Sequence, residues 1–211
     1  MILTPQNQRL ERNVRLKKRP HKMKIPDLVD TNLTVQNDVA IVTLDRDDVR
    51  NALTGTAIIS DIISLCDWVN SNNSIGAMVI TGSGKAFSAG GNIKDMRDKK
   101  GDIFGGTPIS QQDGYRGGIQ RMSQALYALE IPLLAAVNGP AVGAGLDLIC
   151  MCDIRFGCKF SKVGETFVNL GLIPGDGGAW FLPRIVGHQR AAEMTFSGRI
   201  LSAEEANEVG I

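Results

Sequence analysis

Two glycine clusters hold the residues of this chain whose types and spacing can do chemistry. The first is Thr81-Gly82-Ser83-Gly84-Lys85-Ala86-Phe87-Ser88-Ala89-Gly90-Gly91-Asn92-Ile93, and the second is Val137-Asn138-Gly139-Pro140-Ala141-Val142-Gly143-Ala144-Gly145-Leu146-Asp147. Each follows a short apolar run that reads as a strand. Gly90 and Gly91 tolerate positive φ, so successive N–H groups can turn into one concavity suited to an anion or oxyanion. The second cluster runs through a tight turn into a helix, where free N–H groups and the helix dipole favour developing negative charge. One N–H from each turn on a single carbonyl oxygen makes an oxyanion hole, which points to acyl chemistry without a histidine base. Two rival motifs fail on single residues. A phosphate-binding P-loop needs Ser or Thr after Gly84-Lys85, where Ala86 stands, and a dinucleotide fingerprint needs a third glycine where Leu148 stands.

The rest of the inventory narrows the chemistry further. Only two histidines occur, His21 in a polar basic stretch and His188 in Gly187-His188-Gln189-Arg190. A histidine metal cluster is therefore excluded, a Ser-His or Cys-His machine has no nucleophile signature to use, and His188 is expected to start a helix. Cys66, Cys150, Cys152 and Cys158 lack paired zinc spacing, and no apolar leader opens the chain, so reduced thiols and a cytoplasmic location are expected. No apolar run reaches the ~18 residues a bilayer requires.

The whole chain has 211 residues, with 23 Lys plus Arg against 22 Asp plus Glu and 43% hydrophobic residues, which describes one large soluble domain or one domain plus a tail. Residues 1–24 carry eight basic residues and one acid, Glu11, and no aromatic residue. They read as a solvated, disordered basic tail rather than a nucleic-acid or lipid arm. A domain follows over residues 25–211.

The elements that must position the glycine clusters show in the hydrophobic pattern. Alternation in Leu33 to Val35 and Ala40 to Leu44 around Asn37-Asp38 reads as a hairpin. Thr56 to Asn70 has helical spacing, Ala77 to Thr81 reads as a buried strand, Tyr115 to Leu129 as a helix, Leu133 to Val137 as a strand, Ala144 to Cys152 as a helix, and Asp153 to Phe156 as a strand. This alternation argues α/β with parallel pairing. Lys99 to Gly118, rich in glycine and poor in apolar residues, is expected to be a long mobile loop of the kind that forms lids. Ala179 to Leu182, Ala191 to Phe196 and Ser202 to Val209 are helical in pattern, the last opened by a Ser202/Glu205 capping box. Trp68, Trp180 and Phe181 read as core before acyl-pocket lining.

Arg50-Asn51-Ala52-Leu53, Ala86 to Ile93, Val137 through Gly145, Cys152-Asp153 and Gly171-Leu172-Ile173-Pro174-Gly175-Asp176-Gly177-Gly178 together resemble the enoyl-CoA hydratase/isomerase (crotonase) family, in the family's order, over Leu33 to Ile211. The resemblance implies an α/β spiral of repeated ββα units and homotrimers or hexamers, with no nucleic-acid or membrane partner. It implies an acyl-CoA thioester substrate and no separate cofactor, coenzyme A being part of the substrate. Family members continue as C-terminal helices, so it also implies that this helical region is truncated.

Matched by position, the oxyanion donors are Gly91 and Ala144. The family's CoA lies along the Arg50 to Leu53 turn and the Ala89 to Lys94 segment, which makes Arg50, Ala52, Ala89, Gly90, Asn92, Ile93 and Lys94, with Gly143 and Phe167, the substrate-binding candidates. The two hydratase glutamates match Asp147 and Phe167. Asp147 lies three residues beyond Ala144, on the same helix face, whereas Phe167 moves no proton. Three readings stay open: Asp147 works alone, which suits a double-bond shift better than hydration; Asp176 or Glu165 is recruited; or the chain binds thioesters without turning them over. Asp176 can equally cap the helix that starts near Gly178. A serine peptidase of related spiral architecture would need a Ser-His pair that the chain does not supply.

Overall fold

The computed structural model describes residues 24–211, so the basic tail falls outside the described residues except for Lys24. Thr31–Gln36 (β1) and Val39–Leu44 (β2) form the expected antiparallel hairpin. Its turn residues Asn37 and Asp38 both take positive φ (48° and 65°), a geometry that matches the right-handed twist of the flanking strands. In β2, Ala40, Val42 and Leu44 alternate into the core.

Helix α1 (Ile58–Asn70) carries the chain to β3 (Ala77–Gly82), which pairs parallel to β2. Its buried face is Ile58, Ile59, Ile62, Leu65, Cys66 and Val69. A second crossover ends in α5 (Ile119–Tyr127), which lays Ile119, Met122 and Leu126 against α1 and leads to β4 (Leu133–Val137), parallel to β3. β5 (Ala141–Val142), α6 (Ala144–Cys150) and β6 (Ile154–Gly157) form the third unit, with β6 parallel to β4. The main sheet thus runs β1-β2-β3-β4-β6. A smaller sheet, β5-β7-β8, joins β5 to Val163–Gly164 (β7) and Ile200–Leu201 (β8).

Residues 99–118 depart from the expected loop. They fold, with the residues before them, into α2 (Ile93–Asp98), α3 (Gly101–Phe104) and α4 (Pro108–Gly117), and the expected helix from Tyr115 is broken between α4 and α5 at Gly118. The glycines here sit mostly at helix ends, where they act as terminators, and Thr107 caps α4 by accepting the Ser110 N–H. Helices α7 (Gly178–Val186), α8 (His188–Ser197) and α9 (Ala203–Glu208) follow as expected, α8 starting at His188 and α9 carrying the complete Ser202/Glu205 capping box. Trp68 is buried, but Trp180 is 51% exposed, which corrects its reading as core. Among the described residues no helix is long and apolar enough to cross a membrane.

Candidate functional site

Parallel pairing of β3 with β4 brings both glycine clusters to one end of the sheet, where α/β folds place ligands. The two loops are stitched together. Asn138 Oδ1 accepts the Gly82 N–H at 3.0 Å. Pro140 O accepts the N–H groups of Phe87 (3.0 Å) and Ser88 (3.1 Å), and Ser88 O accepts that of Val142 (3.2 Å).

The Arg50 to Leu53 turn supports the first cluster from below. Arg50 O accepts the Ala89 N–H (2.9 Å) and Gly90 O accepts the Leu53 N–H (2.8 Å). Asn51, wholly buried, accepts from the Arg46 N–H and donates to Ser83 O and Ala86 O. Ser88 Oγ donates to Asn51 O and accepts from the Gly90 N–H, so it is a structural hydroxyl.

Gly90 (φ 76°) touches the second cluster: a Cβ there would lie 2.5 Å from Val142 O and 2.9 Å from Ala144 N. Gly143 (φ 53°, ψ −127°) opens α6. Its N–H donates to Gly164 O at 2.9 Å, and its carbonyl accepts the Asp147 N–H at 3.1 Å. Among the described residues, neither the Gly91 N–H nor the Ala144 N–H has an acceptor. Gly91, next in the chain to Gly90, and Ala144 thus belong to the two turns that meet here. Gly91 is overlaid by Met96 of α2, with Thr54 and Phe104 nearby.

Behind the Ala144 turn lie three buried acids, Asp147 (0% exposed), Glu165 (0%) and Asp176 (2%). They come from α6, from the residue after β7 and from the loop before α7. No N–H or hydroxyl among the described residues reaches either oxygen of Asp147 or Glu165, or Oδ1 of Asp176. Burial first, then the charges of Asp176 and Glu165, pushes the Asp147 carboxyl well above its ordinary value. Burial also raises Asp176, against a lowering hydrogen bond with Asp147. Burial raises Glu165 to about 7, against the lowering effect of a hydrogen bond with Asp147 and with a further rise from Asp176. Such a cluster can hold and hand over protons at neutral pH. Among the described residues no group of three or more His, Cys, Asp or Glu is arranged to hold a metal ion.

The remaining candidates divide by position. Ala52 is buried, Ala89 half-buried, and Asn92 caps α2 by accepting the Lys94 N–H, while Arg50, Ile93 and Lys94 are exposed around the first cluster. Phe167 is buried beside Gly143, an apolar wall at the turn. Asp176 does not cap α7, whose N-cap is Gly177 with no side-chain bond. Asp153 anchors a strand end by accepting the Leu133 N–H. A cleft of about 890 Å³ opens next to the site, sharing Leu53 and Thr54 with the first turn and lined further by Ile59, Ile103, Phe104 and Arg121, but none of the three acids lines it.

Two further residues at the site were not among the candidates the sequence offered for it. Tyr115 of α4 packs on Gly175 and is raised by burial and then by Asp176. Gly178 covers the Asp147 carboxyl, since a Cβ there would lie 2.6 Å from Asp147 Cγ and Oδ2.

Comparison with known proteins agrees with this geometry. The profile of the family described as Enoyl-CoA hydratase/isomerase matches residues 34–211. A Bacillus subtilis protein carrying an enoyl-CoA hydratase/isomerase name is 34% identical over 84% of this chain and 66% of its own length. The crystal structure of an enoyl-CoA hydratase from Bacillus anthracis superposes with a TM-score of 0.78 at 29% identity, over 86% of this chain and 68% of that one. A Thermobifida fusca protein named as an enoyl-CoA hydratase, solved in complex with acetoacetyl-CoA, gives 0.75 at 30% identity, over 86% of this chain and 71% of that one. The expected crotonase-type α/β architecture is the observed one. The chain spans 57 to 66% of the length of the curated relatives compared.

Proposed function

The chain belongs to the enoyl-CoA hydratase/isomerase family, and from that membership and the site geometry we propose that it binds an acyl-CoA thioester and stabilises its enolate, with Asp147 moving the proton. The observation that carries this reading is the contact between two strand-end turns, each with a free N–H, with the buried Asp147 on the helix that the second turn opens. The thioester oxygen accepts hydrogen bonds from Gly91 and Ala144. Preorganised donors of this kind are each worth about 3 kcal/mol of barrier, because charge develops on the oxygen only as the reaction proceeds. Asp147, raised by burial and by its acidic neighbours, has the basicity to take a proton from carbon and return it.

A double-bond shift needs no more than this. A proton leaves C2 of a 3-enoyl thioester for Asp147, the enolate forms against the two N–H groups, and the same proton returns at C4. Isomerisation therefore ranks ahead of hydration, because Phe167 supplies no second acid. None of the three acids lines the 890 Å³ cleft, and Met96 of α2 overlies Gly91, so substrate entry displaces Met96. The complex of the Thermobifida fusca relative with acetoacetyl-CoA supports the thioester class. A homotrimer or hexamer is the expected assembly, and light scattering measures it.

Exchange of α-protons of butyryl-CoA for deuterium in D2O, followed by NMR, tests the reading whatever the natural acyl group. Exchange that Asp147→Asn abolishes supports it. Tight acetoacetyl-CoA binding without exchange refutes enolate chemistry and leaves a thioester-binding protein.

A further inference from the structure

We propose that Glu165 is the proton-sharing partner of Asp147, a positioning residue that keeps the pair at one negative charge and so poises Asp147 to act as both base and acid. The proposal rests on the enolate reading for its catalytic part only, since sharing of the proton is a property of the resting protein.

The placement follows from the backbone. β5 and β7 run parallel with Val142 opposite Gly164, so Glu165 follows beside Gly143. The Gly143 N–H is held by Gly164 O, and the Gly143 carbonyl holds the Asp147 N–H. Glu165 and Asp147 thus flank the one turn that presents the Ala144 N–H. Both side chains are wholly buried, and none of their four oxygens meets an N–H or hydroxyl donor among the described residues. The side chains of this segment that would meet a Cβ at Gly143 are Thr166 and Phe167, and neither is an acid.

Two carboxylates in contact, buried and without a cation, cannot both stay ionised, because each loses its hydration and repels the other. A single proton shared between the Glu165 and Asp147 carboxyls resolves this. The groups facing the pair supply no positive charge. Asp176 from the loop before α7 is hydrogen-bonded to Asp147 and is itself raised by burial, Tyr115 of α4 is raised by burial and then by Asp176, and Cys150 on α6 has its thiol pushed up to about 12 by burial. Arg155 of β6 acts on Cys150 and bonds Cys152 O.

The proton balance is simple. When Asp147 takes a proton from substrate carbon, the pair passes from one negative charge to none, and return of a proton to carbon restores it. Without the shared proton the pair would still hold one buried negative charge when the enolate forms beside it. Catalysis therefore falls when the pair loses that proton, in the region of pH 7 where Glu165 titrates.

Two readouts test this. The pH profile of α-proton exchange on butyryl-CoA is expected to be bell-shaped in the wild type. In Glu165→Gln, which cannot release a proton, the alkaline limb disappears, whereas Glu165→Asp retains it. A merely structural role lowers the rate without changing the shape. Infrared titration of the free protein is expected to show a protonated-carboxyl band at pH 6 that weakens in Glu165→Gln. An unchanged bell in that variant, or a wild-type spectrum with both carboxyls ionised at pH 6, overturns the proposal. If Glu165→Gln does not fold, the wild-type infrared titration and the Glu165→Asp profile decide. A shared proton in a protein that exchanges no α-proton sinks the enolate reading and leaves the sharing intact.

Discussion

Gly178→Ala isolates the placement of the Asp147 carboxyl from its chemistry. Gly178 has no left-handed φ to protect, so alanine is allowed by the backbone and only the added methyl matters. That methyl would lie 2.6 Å from Asp147 Cγ and Oδ2. Comfortable contact needs roughly 3.5 Å, so carboxyl and helix start must part by about 1 Å. Overpacking of this kind costs about 1–3 kcal/mol. In a chain of this size that lowers the melting temperature by roughly 2–12 °C. A displacement of about 1 Å in a reacting group costs on the order of 100-fold in rate. The assay pairs thermal unfolding with deuterium exchange of butyryl-CoA α-protons, and Gly117→Ala is the control, because nothing lies within 4 Å of a Cβ there. The control should match or slightly exceed wild-type stability and exchange normally. A folded Gly178→Ala protein that exchanges at the wild-type rate would refute the assignment of the proton to Asp147 at this position.

Asn51→Ala removes three bonds of a wholly buried amide, strands the Arg46 N–H and the Ser83 carbonyl and leaves Ala86 O only the Asn138 amide at 3.4 Å, so denaturant unfolding should show a loss of about 2–4 kcal/mol. Folding stability should also depend on pH through Glu165, whose folded pKa is raised from 4.5 to about 7. Below its unfolded value the contribution is fully present, and as pH rises through about 7 roughly 3 kcal/mol is lost. Glu165→Gln should flatten that slope in urea titrations at pH 4.5 and 7.5. Finally, a maleimide at neutral pH should label Cys158 before the other cysteines, as read by peptide mass spectrometry. Against the raising effect of partial burial, the Phe160 N–H and the Ser161 hydroxyl hold the Cys158 thiol below its ordinary value. Burial raises Cys66 and Cys150 to about 12 and Cys152 as well.

Local physics made much of this protein legible in its residues alone. Alternation around Asn37-Asp38 specifies the hairpin, helical spacing specifies Ile58–Asn70, and the glycine clusters after two apolar runs mark the turns, because strand period, helix period and positive φ are properties of a few neighbouring residues. The motifs in those turns were enough to indicate the family. Where local signals were diluted the reading failed: the glycines of residues 99–118 suggested a loop, yet they terminate short helices that pack over the site. What only the tertiary structure decided is the company Asp147 keeps. Glu165, Asp176, Gly178 and Tyr115 are brought to it by a parallel β5–β7 pairing and by packing of α4 and α7, contacts between residues far apart in the chain. A carboxyl's proton affinity depends on burial and on charges within a few ångströms, and neither is a property of the residues beside it in sequence.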